Sequence, residues 1–277
     1  MPAGDNDGGD KEVPFNHGIT SPEEAYWFGF LVGDGCIYED RYRLKVALQK
    51  SDRDHLLKLA EFLGYDSMRV HIYGNLAEFK VDNKKLLISL YKLGLCQNKV
   101  HKTHKGLIPE KFSRDFIRGL FDADGTIHLR TNKNYLTADF HIYGTYNLLE
   151  GVKNNLIKNV NDGTSFGYLS KGSPSLMGFR GRWVVERIGQ YLYPEFGPYL
   201  ERKFQIFQSL FSYNKKNKRR YNQLDLKQIR KIKQLYKSGL KQKEIAEGYS
   251  LSQSFISRII NNRRYLNLLR GGQDAKS

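Results

Sequence analysis

The chain has 277 residues, with 45 lysines and arginines against 29 aspartates and glutamates, so its net charge at neutral pH is +16. This length allows roughly two domains, and a hydrophobic content of 40% suffices for a core. The sequence contains no long apolar segment and no signal peptide, which disfavours a membrane partner. The strong positive charge instead predicts that the protein binds nucleic acid.

The first part of the chain predicts an arm followed by alternating helices and strands. Residues 1–14, rich in Gly, Asp and Pro, predict a disordered arm. A helix should start at Pro22, because Ser21 is a favourable N-cap and Glu24 completes a capping box. Periodicity then predicts strands at 36–39 and 42–50, a helix at 53–63, a hairpin of strands 67–73 and 76–81 around Gly74-Asn75, and a helix at 84–93.

A second segment repeats this order more loosely. A helix starting near Ser113 precedes predicted strands at 126–130 and 137–143, a helix at 146–158, strands at 165–169 and 176–180, and a helix at 183–192. We therefore expect an α+β fold with two pseudo-symmetric αββαββα halves at 15–95 and 113–212, joined by a linker at 96–112. Each half offers a four-stranded antiparallel sheet with helices on one face, so its other face must be either solvated or bound to a partner.

The C-terminal quarter has a different character. Residues 214–277 hold 17 basic and 4 acidic residues, a net charge of +13. We expect a basic linker at 213–223, a small all-α domain at 224–266 and a tail at 267–277. Apolar spacing predicts three short helices, the third capped by Ser252. One polar face of that third helix carries Gln253, Ser254, Ser257 and Arg258.

Two short stretches, 90 residues apart, repeat one pattern. Residues 27–35 read Trp-Phe-Gly-Phe-Leu-Val-Gly-Asp-Gly, and residues 117–125 read Ile-Arg-Gly-Leu-Phe-Asp-Ala-Asp-Gly. In each, two small residues lie four apart on one helix face, which lets two helix backbones approach closely. Each helix should end at the Asp before its last Gly. A carboxylate at a helix C-terminus is disfavoured by about 0.3–1 kcal/mol, and a divalent cation would relieve that cost.

The second stretch resembles the signature of LAGLIDADG homing endonucleases, and the first is a looser version with Val32 at the sixth position. The resemblance covers roughly residues 20–212. It implies that the two helices form the interface between the halves, and that Asp34 and Asp124 hold two or more Mg²⁺ ions with help from the carbonyls of Gly33 and Ala123. It also implies a monomer that makes double-strand breaks with short 3′ overhangs.

The family pattern suggests three more active-site residues. Lys80 falls where these enzymes place a basic residue near the scissile phosphates, and we match Arg180 to it in the second half. A basic side chain there stabilises charge on the phosphorus centre. Gln49 matches a water-orienting residue, and we match its counterpart in the second half to Gly144.

The sheets should form a saddle that contacts a DNA major groove. The predicted partner is a long, asymmetric double-stranded DNA target. By alternation and polarity, the strand residues expected to contact DNA are Arg41, Arg43, Lys45, Gln49, Arg130, Asn132, Lys133, His141 and Lys171.

The three C-terminal helices resemble the helix-turn-helix of resolvase-type recombinases, which implies that the polar face of the third helix contacts base edges. In the basic linker, Lys215, Lys216, Arg219 and Arg220 are expected along phosphates or in a minor groove. A helical appendage that binds a protein is the alternative for this domain.

We therefore predict a site-specific, metal-dependent DNA endonuclease. Two alternatives remain open: a non-catalytic DNA-binding transcription regulator, and an RNA maturase.

The isolated Cys36 and Cys96 are read as free thiols, which predicts a reducing, intracellular and DNA-associated location. No Cys/His spacing is typical of a zinc site.

Overall fold

The structure is a computed structural model that describes residues 13–96, 110–132, 135–160, 167–194, 196–216, 226–249 and 251–261. They form two compact units, one reaching Phe211 and one beginning at Ser212. The tail predicted at 267–277 lies outside the described residues, as do most of the arm predicted at 1–14 and of the linker predicted at 96–112. None of the described helices is long and apolar enough to cross a membrane.

The first half follows the predicted order. Its first helix begins where Ser21 Oγ accepts a hydrogen bond from Glu24 N and the Glu24 carboxylate accepts one from Ser21 N, each at 3.1 Å. This capping box pairs amides that the helix itself cannot pair. The elements of the half are α1 (Pro22–Asp34), β1 (Gly35–Tyr38), β2 (Arg43–Gln49), α2 (Arg53–Phe62), β3 (Val70–Tyr73), β4 (Leu76–Asp82) and α3 (Lys84–Lys92).

The second half repeats this order and adds one helix that the sequence did not predict. That helix is α7 (Glu201–Lys216), so the linker predicted at 213–223 begins inside a helix. The preceding elements are α4 (Ser113–Asp124), β5 (Gly125–Asn132), β6 (Tyr135–Gly144), α5 (Tyr146–Val160), β7 (Tyr168–Ser170), β8 (Ser175–Arg180) and α6 (Arg182–Leu192).

Each half contains one four-stranded antiparallel sheet, in the orders β1-β2-β4-β3 and β5-β6-β8-β7. The helices α2 and α3 cover one face of the first sheet, and α5 and α6 cover one face of the second. Residues of β2 and β4 alternate between buried and accessible, so the second face of the first sheet stays accessible. The α+β fold with two halves of like topology therefore agrees with the prediction.

The C-terminal unit contains α8 (Leu226–Lys237), α9 (Gln242–Gly248) and α10 (Gln253–Asn261), close to the three predicted helices. Ser252 caps α10, because its Oγ accepts a hydrogen bond from Phe255 N at 3.3 Å. The apolar positions of all three helices meet in one small core of Ile232, Ile245, Ala246, Ile256 and Ile259.

Candidate active site and nucleic-acid interface

The helices α1 and α4 pack together at positions that lack side chains. A methyl group placed on Gly29 would lie 2.1 Å from the carbonyl oxygen of Phe116, and one on Gly119 would lie 1.9 Å from that of Tyr26. Both distances are far inside van der Waals contact, so only glycine allows the two backbones to come this close. The small residues of the repeats therefore form the interface between the halves.

The two repeated aspartates lie at the ends of this helix pair. α1 ends at Asp34 and α4 at Asp124, and both residues are half-buried. A methyl group on Gly33 would stand 3.1 Å from Asp124 Oδ2, so the Asp124 carboxylate reaches across to the end of α1. Helix dipoles and mutual repulsion both disfavour two carboxylates here. The arrangement thus concentrates negative charge at the interface.

The two carboxylates suit Mg²⁺, which takes few of its ligands from protein, better than a metal ion whose ligands all come from protein. Across the described ranges, no group of three or more His, Cys, Asp or Glu side chains is placed to hold a metal ion. Mg²⁺ is usually bound through one or two carboxylates, while water and substrate phosphates complete its shell. Asp34 and Asp124 match that requirement.

A lysine that the sequence analysis missed lies beside the carboxylates. The Lys203 ammonium donates hydrogen bonds to the carbonyl oxygens of Phe121 and Asp122, both at 2.7 Å, and of Ala123 at 3.2 Å. It thereby caps the C-terminus of α4, where a positive charge is favoured. Burial lowers the pKa of Lys203 to about 8, although the nearby carboxylates, Asp34 and Asp124 among them, act to raise it. Lys203 is thus within electrostatic reach of both aspartates.

The carbonyl of Ala123, a predicted metal ligand, accepts one hydrogen bond from Lys203 and keeps a second lone pair. The sequence holds a signal that could have revealed Lys203. Leu200, just before α7, and Phe207 and Leu210 on α7 are buried at helical spacing, and Lys203 interrupts that apolar stripe. A lysine at such a position must find polar partners.

Asp122, at the sixth position of the second repeat, is fully buried and accepts three hydrogen bonds. Its Oδ1 accepts from Tyr193 OH at 2.6 Å, and its Oδ2 accepts from Tyr26 OH and from Leu200 N, both at 2.8 Å. Burial raises the pKa of the Asp122 carboxyl, whereas these donors and Lys203 act to lower it. Asp122 therefore joins α1, α4 and the chain leading into α7.

The hydrogen-bond chain continues into the first half through Tyr26. Its hydroxyl lies 3.0 Å from Nε2 of His55, a buried residue of α2. Because that hydroxyl donates its proton to Asp122, we infer that His55 Nε2 carries a proton and donates to Tyr26. Burial, assisted by nearby cationic side chains, lowers the pKa of His55 to about 3, so the ring is neutral at physiological pH.

The register of the strands corrects the predicted match between Lys80 and Arg180. Lys80 pairs with Lys45, and Arg180 pairs with Asp139. Strand positions of the two halves can be matched by counting from Gly35 and Gly125, the last residues of the two repeats. On this count Lys45 on β2 corresponds to His141 on β6, and His141 pairs with Gly178 on β8. Lys80 therefore corresponds to Gly178, and Arg180 corresponds to Asp82. The prediction was shifted by two residues because it aligned Phe79 with Phe179.

The same register corrects the predicted counterpart of Gln49. Val46 and Ile142 are the partners of Gly35 and Gly125, and Gln49 lies three residues after Val46. The corresponding position is therefore Thr145, not Gly144. Both halves thus carry a polar side chain at this point, a glutamine and a threonine.

On the open face of the first sheet, two predicted DNA contacts are paired with carboxylates. Arg43 donates from Nε and Nη2 to Asp82 at 2.6 and 2.7 Å, which raises the pKa of Arg43 and lowers that of Asp82. Lys45 forms an ion pair with Glu78 at 2.5 Å. Arg41 is exposed in the 3₁₀ turn that follows β1, not on a strand.

On the open face of the second sheet, aromatic and imidazole groups lie beside an ion pair. His141 Nε2 lies 2.6 Å from Tyr168 OH, and Arg180 stacks 5.1 Å above the Tyr168 ring. Burial lowers the pKa of His141. Arg130 is exposed on β5 and forms an ion pair with Asp139.

The remaining predicted DNA contacts fall at the margins of this sheet or outside the described part. Lys171 is exposed in the connection between β7 and β8. Asn132 is the last residue of β5, its side chain is not among those described, and Lys133 lies outside the described residues.

In the C-terminal unit, Gln253 and Ser254 are exposed at the start of α10, and Ser257 is half-buried and accepts a hydrogen bond from Asn261 Nδ2 at 3.0 Å. The Arg258 side chain is not among those described. Lys215 and Lys216 end α7, with side chains likewise outside the description, and Arg219 and Arg220 lie outside the described residues.

No protein-family model matches the chain. A probable translation initiation factor IF-2 of Methanocaldococcus jannaschii is 30% identical over 115 residues, which are 39% of this chain and 9% of that protein. The chain therefore spans less than a tenth of the length of this relative.

Solved structures similar to this chain include LAGLIDADG nucleases. The LAGLIDADG meganuclease I-AabMI, bound to uncleaved DNA, is 15% identical with a TM-score of 0.48, over 71% of this chain and 91% of its own. The LAGLIDADG homing endonuclease I-GzeII, in complex with its DNA target, is 12% identical with a TM-score of 0.44, over 88% and 98%. Values of this size transfer no activity, ligand or residue role to this chain.

Proposed function

We propose that the protein is a site-specific DNA endonuclease that hydrolyses phosphodiester bonds with divalent metal. The observation that carries this proposal is the placement of Asp34 and Asp124 at the adjoining ends of α1 and α4, with the Asp124 carboxylate reaching the end of α1. In both repeats a carboxylate lies at a helix C-terminus, where the helix dipole makes it electrostatically unfavourable. Sequences that break a local rule in this way usually do so at a functional site.

In this proposal the two aspartates hold Mg²⁺, with the carbonyls of Gly33 and Ala123 as further ligands. Bound Mg²⁺ supplies a polarised water and charge stabilisation at the phosphate. Lys203 adds a positive charge at the end of α4, suited to phosphate oxygens that become more negative during hydrolysis. Gln49 and Lys80, on β2 and β4, orient water and contact phosphate, and Thr145 occupies the position of Gln49 in the second half.

The open faces of the two sheets are the proposed DNA-binding surface. A two-stranded β-ribbon fits the major groove of DNA, and each face presents rows of charged and hydrogen-bonding side chains. Because one chain supplies both halves, we propose that a monomer binds one duplex. The two faces differ in nearly every exposed residue, which suits a long, asymmetric target.

The C-terminal unit is proposed to lengthen the recognised site as a helix-turn-helix. Gln253 and Ser254 at the start of α10 are positioned as the base-reading residues of such helices are, and the surrounding sequence carries most of the net charge. The basic residues at 215–220 would follow phosphates. A DNA-associated, intracellular location, with Cys36 and Cys96 as free thiols, accompanies this proposal.

The test is cleavage of a DNA library with a randomised centre, in Mg²⁺ and in EDTA, followed by sequencing of the new ends. We expect defined double-strand breaks with short 3′ overhangs in Mg²⁺ and none in EDTA. Sequence-specific binding without any cleavage would instead identify a DNA-binding regulator, and specific binding to intron RNA would favour a maturase. Asp34→Asn is the control for a contaminating nuclease.

A further inference from the structure

We propose that Asp122 is a positioning residue, which fixes the chain between α6 and α7 and thereby holds Lys203 beside Asp34 and Asp124. This inference rests on the proposed nuclease activity for its catalytic consequence, although the positioning itself can be tested without DNA. Asp122 occupies the place that Val32 holds in the first repeat, so the device belongs to one half only.

The geometry links the carboxylate to both ends of the segment. Tyr193 follows α6 and donates to Asp122 Oδ1 at 2.6 Å, whereas Leu200 precedes α7 and its backbone amide donates to Oδ2 at 2.8 Å. Leu200 is the residue whose carbonyl accepts from Lys203 N at 3.1 Å in the first turn leading into α7. One carboxylate thus fixes the point from which α7 begins.

The position of Lys203 depends on the start of α7, because burial of its ammonium group is energetically unfavourable unless the group stays hydrogen-bonded. It is only 3% exposed, and removing an ammonium group from water is expensive unless the group is fully paired. Its three carbonyl acceptors lie in the last turn of α4, close to Asp122 itself. A small shift of the start of α7 would break those hydrogen bonds.

Two neighbouring contacts hold the same segment at other points. Arg118 donates to the carbonyls of Leu192 and Pro198, both at 3.0 Å. Arg202 donates to Asp52 at 2.7 Å and so ties α7 to the start of α2. Neither contact involves Asp122. A matched control must lie outside this segment, and the Arg43–Asp82 pair of the first sheet provides one.

The first experiment measures how accessible Lys203 is to an amine-acylating reagent, read residue by residue by mass spectrometry of the DNA-free protein. Wild type should leave Lys203 protected. In Asp122→Asn the amide cannot accept all three hydrogen bonds, and labelling of Lys203 should rise about tenfold through local opening. In Asp82→Asn it should stay at the wild-type level.

A general loss of stability is separated from this local effect by two further measurements. Labelling of lysines outside the segment, such as Lys80 and Lys153, should not change in Asp122→Asn. Tyr193→Phe removes one of the three donors and serves if Asp122→Asn fails to fold; it should raise labelling of Lys203 by a smaller factor. Unchanged Lys203 labelling in a folded Asp122→Asn or Tyr193→Phe protein would overturn the proposal.

The second experiment is a double-mutant cycle on single-turnover DNA cleavage. Lys203→Met should lower the rate constant by on the order of a hundredfold, and Asp122→Asn by about tenfold, with little change in Kd for DNA. If Asp122 acts through Lys203, the double variant should match Lys203→Met within about twofold.

The outcomes of the two experiments are distinguishable. Effects that multiply in the double variant would show that Asp122 acts independently and would overturn the proposal. A wild-type protein that cleaves no DNA would refute the proposed function, while raised Lys203 labelling in Asp122→Asn would still establish the positioning.

Discussion

The two halves share one repeat but differ at its sixth position. In the first half Val32 is buried, whereas in the second half Asp122 organises a buried hydrogen-bond network. The features that both halves keep, the small residues and the final aspartate, build the interface and the shared carboxylate pair. The candidate metal site is therefore built from features that both halves share, whereas the hydrogen-bond network beside it depends on Asp122, which only the second half carries.

The open faces of the sheets show the same contrast. The first face carries two ion pairs, Arg43 with Asp82 and Lys45 with Glu78. The second face combines the Arg130–Asp139 pair with His141 and Arg180, which lie around the Tyr168 ring. A fold with equivalent halves can thus present two unlike surfaces. The comparison of shared and unshared features leads to four predictions.

The largest effect should come from the shared carboxylates. Asp34→Asn and Asp124→Asn should each reduce cleavage of both strands by on the order of a thousandfold, because in the proposed mechanism the two residues share the metal. Specific DNA binding should survive, as measured by gel shift in EDTA. Asp54→Asn, which alters a side chain that is 90% exposed on α2, should cleave like wild type. Loss of only one strand's cleavage in each variant would mean that the halves work separately.

The next effect concerns the shared glycines. Gly29→Ala and Gly119→Ala should each destabilise the protein by about 3 kcal/mol or more, since the new methyl groups would meet backbone carbonyls at the distances given above. Gly151→Ala is the matched control in α5, because nothing lies within 4 Å of the added methyl group. There the substitution should stabilise the helix by up to about 1 kcal/mol. Urea unfolding measures all three, and similar values would contradict the close helix packing.

The third prediction concerns His55, through which the hydrogen-bond network of Asp122 extends into the first half. Its pKa is about 3 in the folded protein and about 6.5 when unfolded, so the folded state binds fewer protons. Its contribution to stability is intact above pH 6.5 and declines as the pH falls, by about 1.4 kcal/mol per pH unit down to about pH 3. His55→Gln should flatten this part of the curve of unfolding free energy against pH. Parallel curves for the two proteins would contradict the assigned burial.

The smallest effect should come from the C-terminal unit. Gln253→Ala should weaken DNA binding by about 1–3 kcal/mol and relax preference only at flanking base pairs. Deleting 217–277, which leaves α7 intact, removes 15 basic and 4 acidic residues and should flatten the salt dependence of binding. Selection from a randomised library measures the preference at each position. An unchanged footprint after deletion would favour a protein partner for this unit.

Much of the fold could be read from the sequence because its signals are local. The capping box placed the start of α1, and Gly35 and Gly125 placed the ends of α1 and α4 at Asp34 and Asp124. Two-residue alternation placed most of the strands. Three short amphipathic patterns predicted the C-terminal helices. These features depend on residues a few positions apart, whose geometry the backbone itself fixes.

Tertiary structure decided what depends on distant parts of the chain. Strand register moved the counterpart of Lys80 from Arg180 to Gly178, since pairing between β6 and β8 is set by sheet packing and not by local similarity. Lys203 meets the end of α4, and Asp122 meets Leu200, only because about 80 intervening residues fold back on themselves. The sequence by itself determined the paired aspartates. Only the packing of α7 determined which basic side chain lies beside them, because a buried ammonium group needs hydrogen-bond acceptors, and those of Lys203 come from a distant part of the chain.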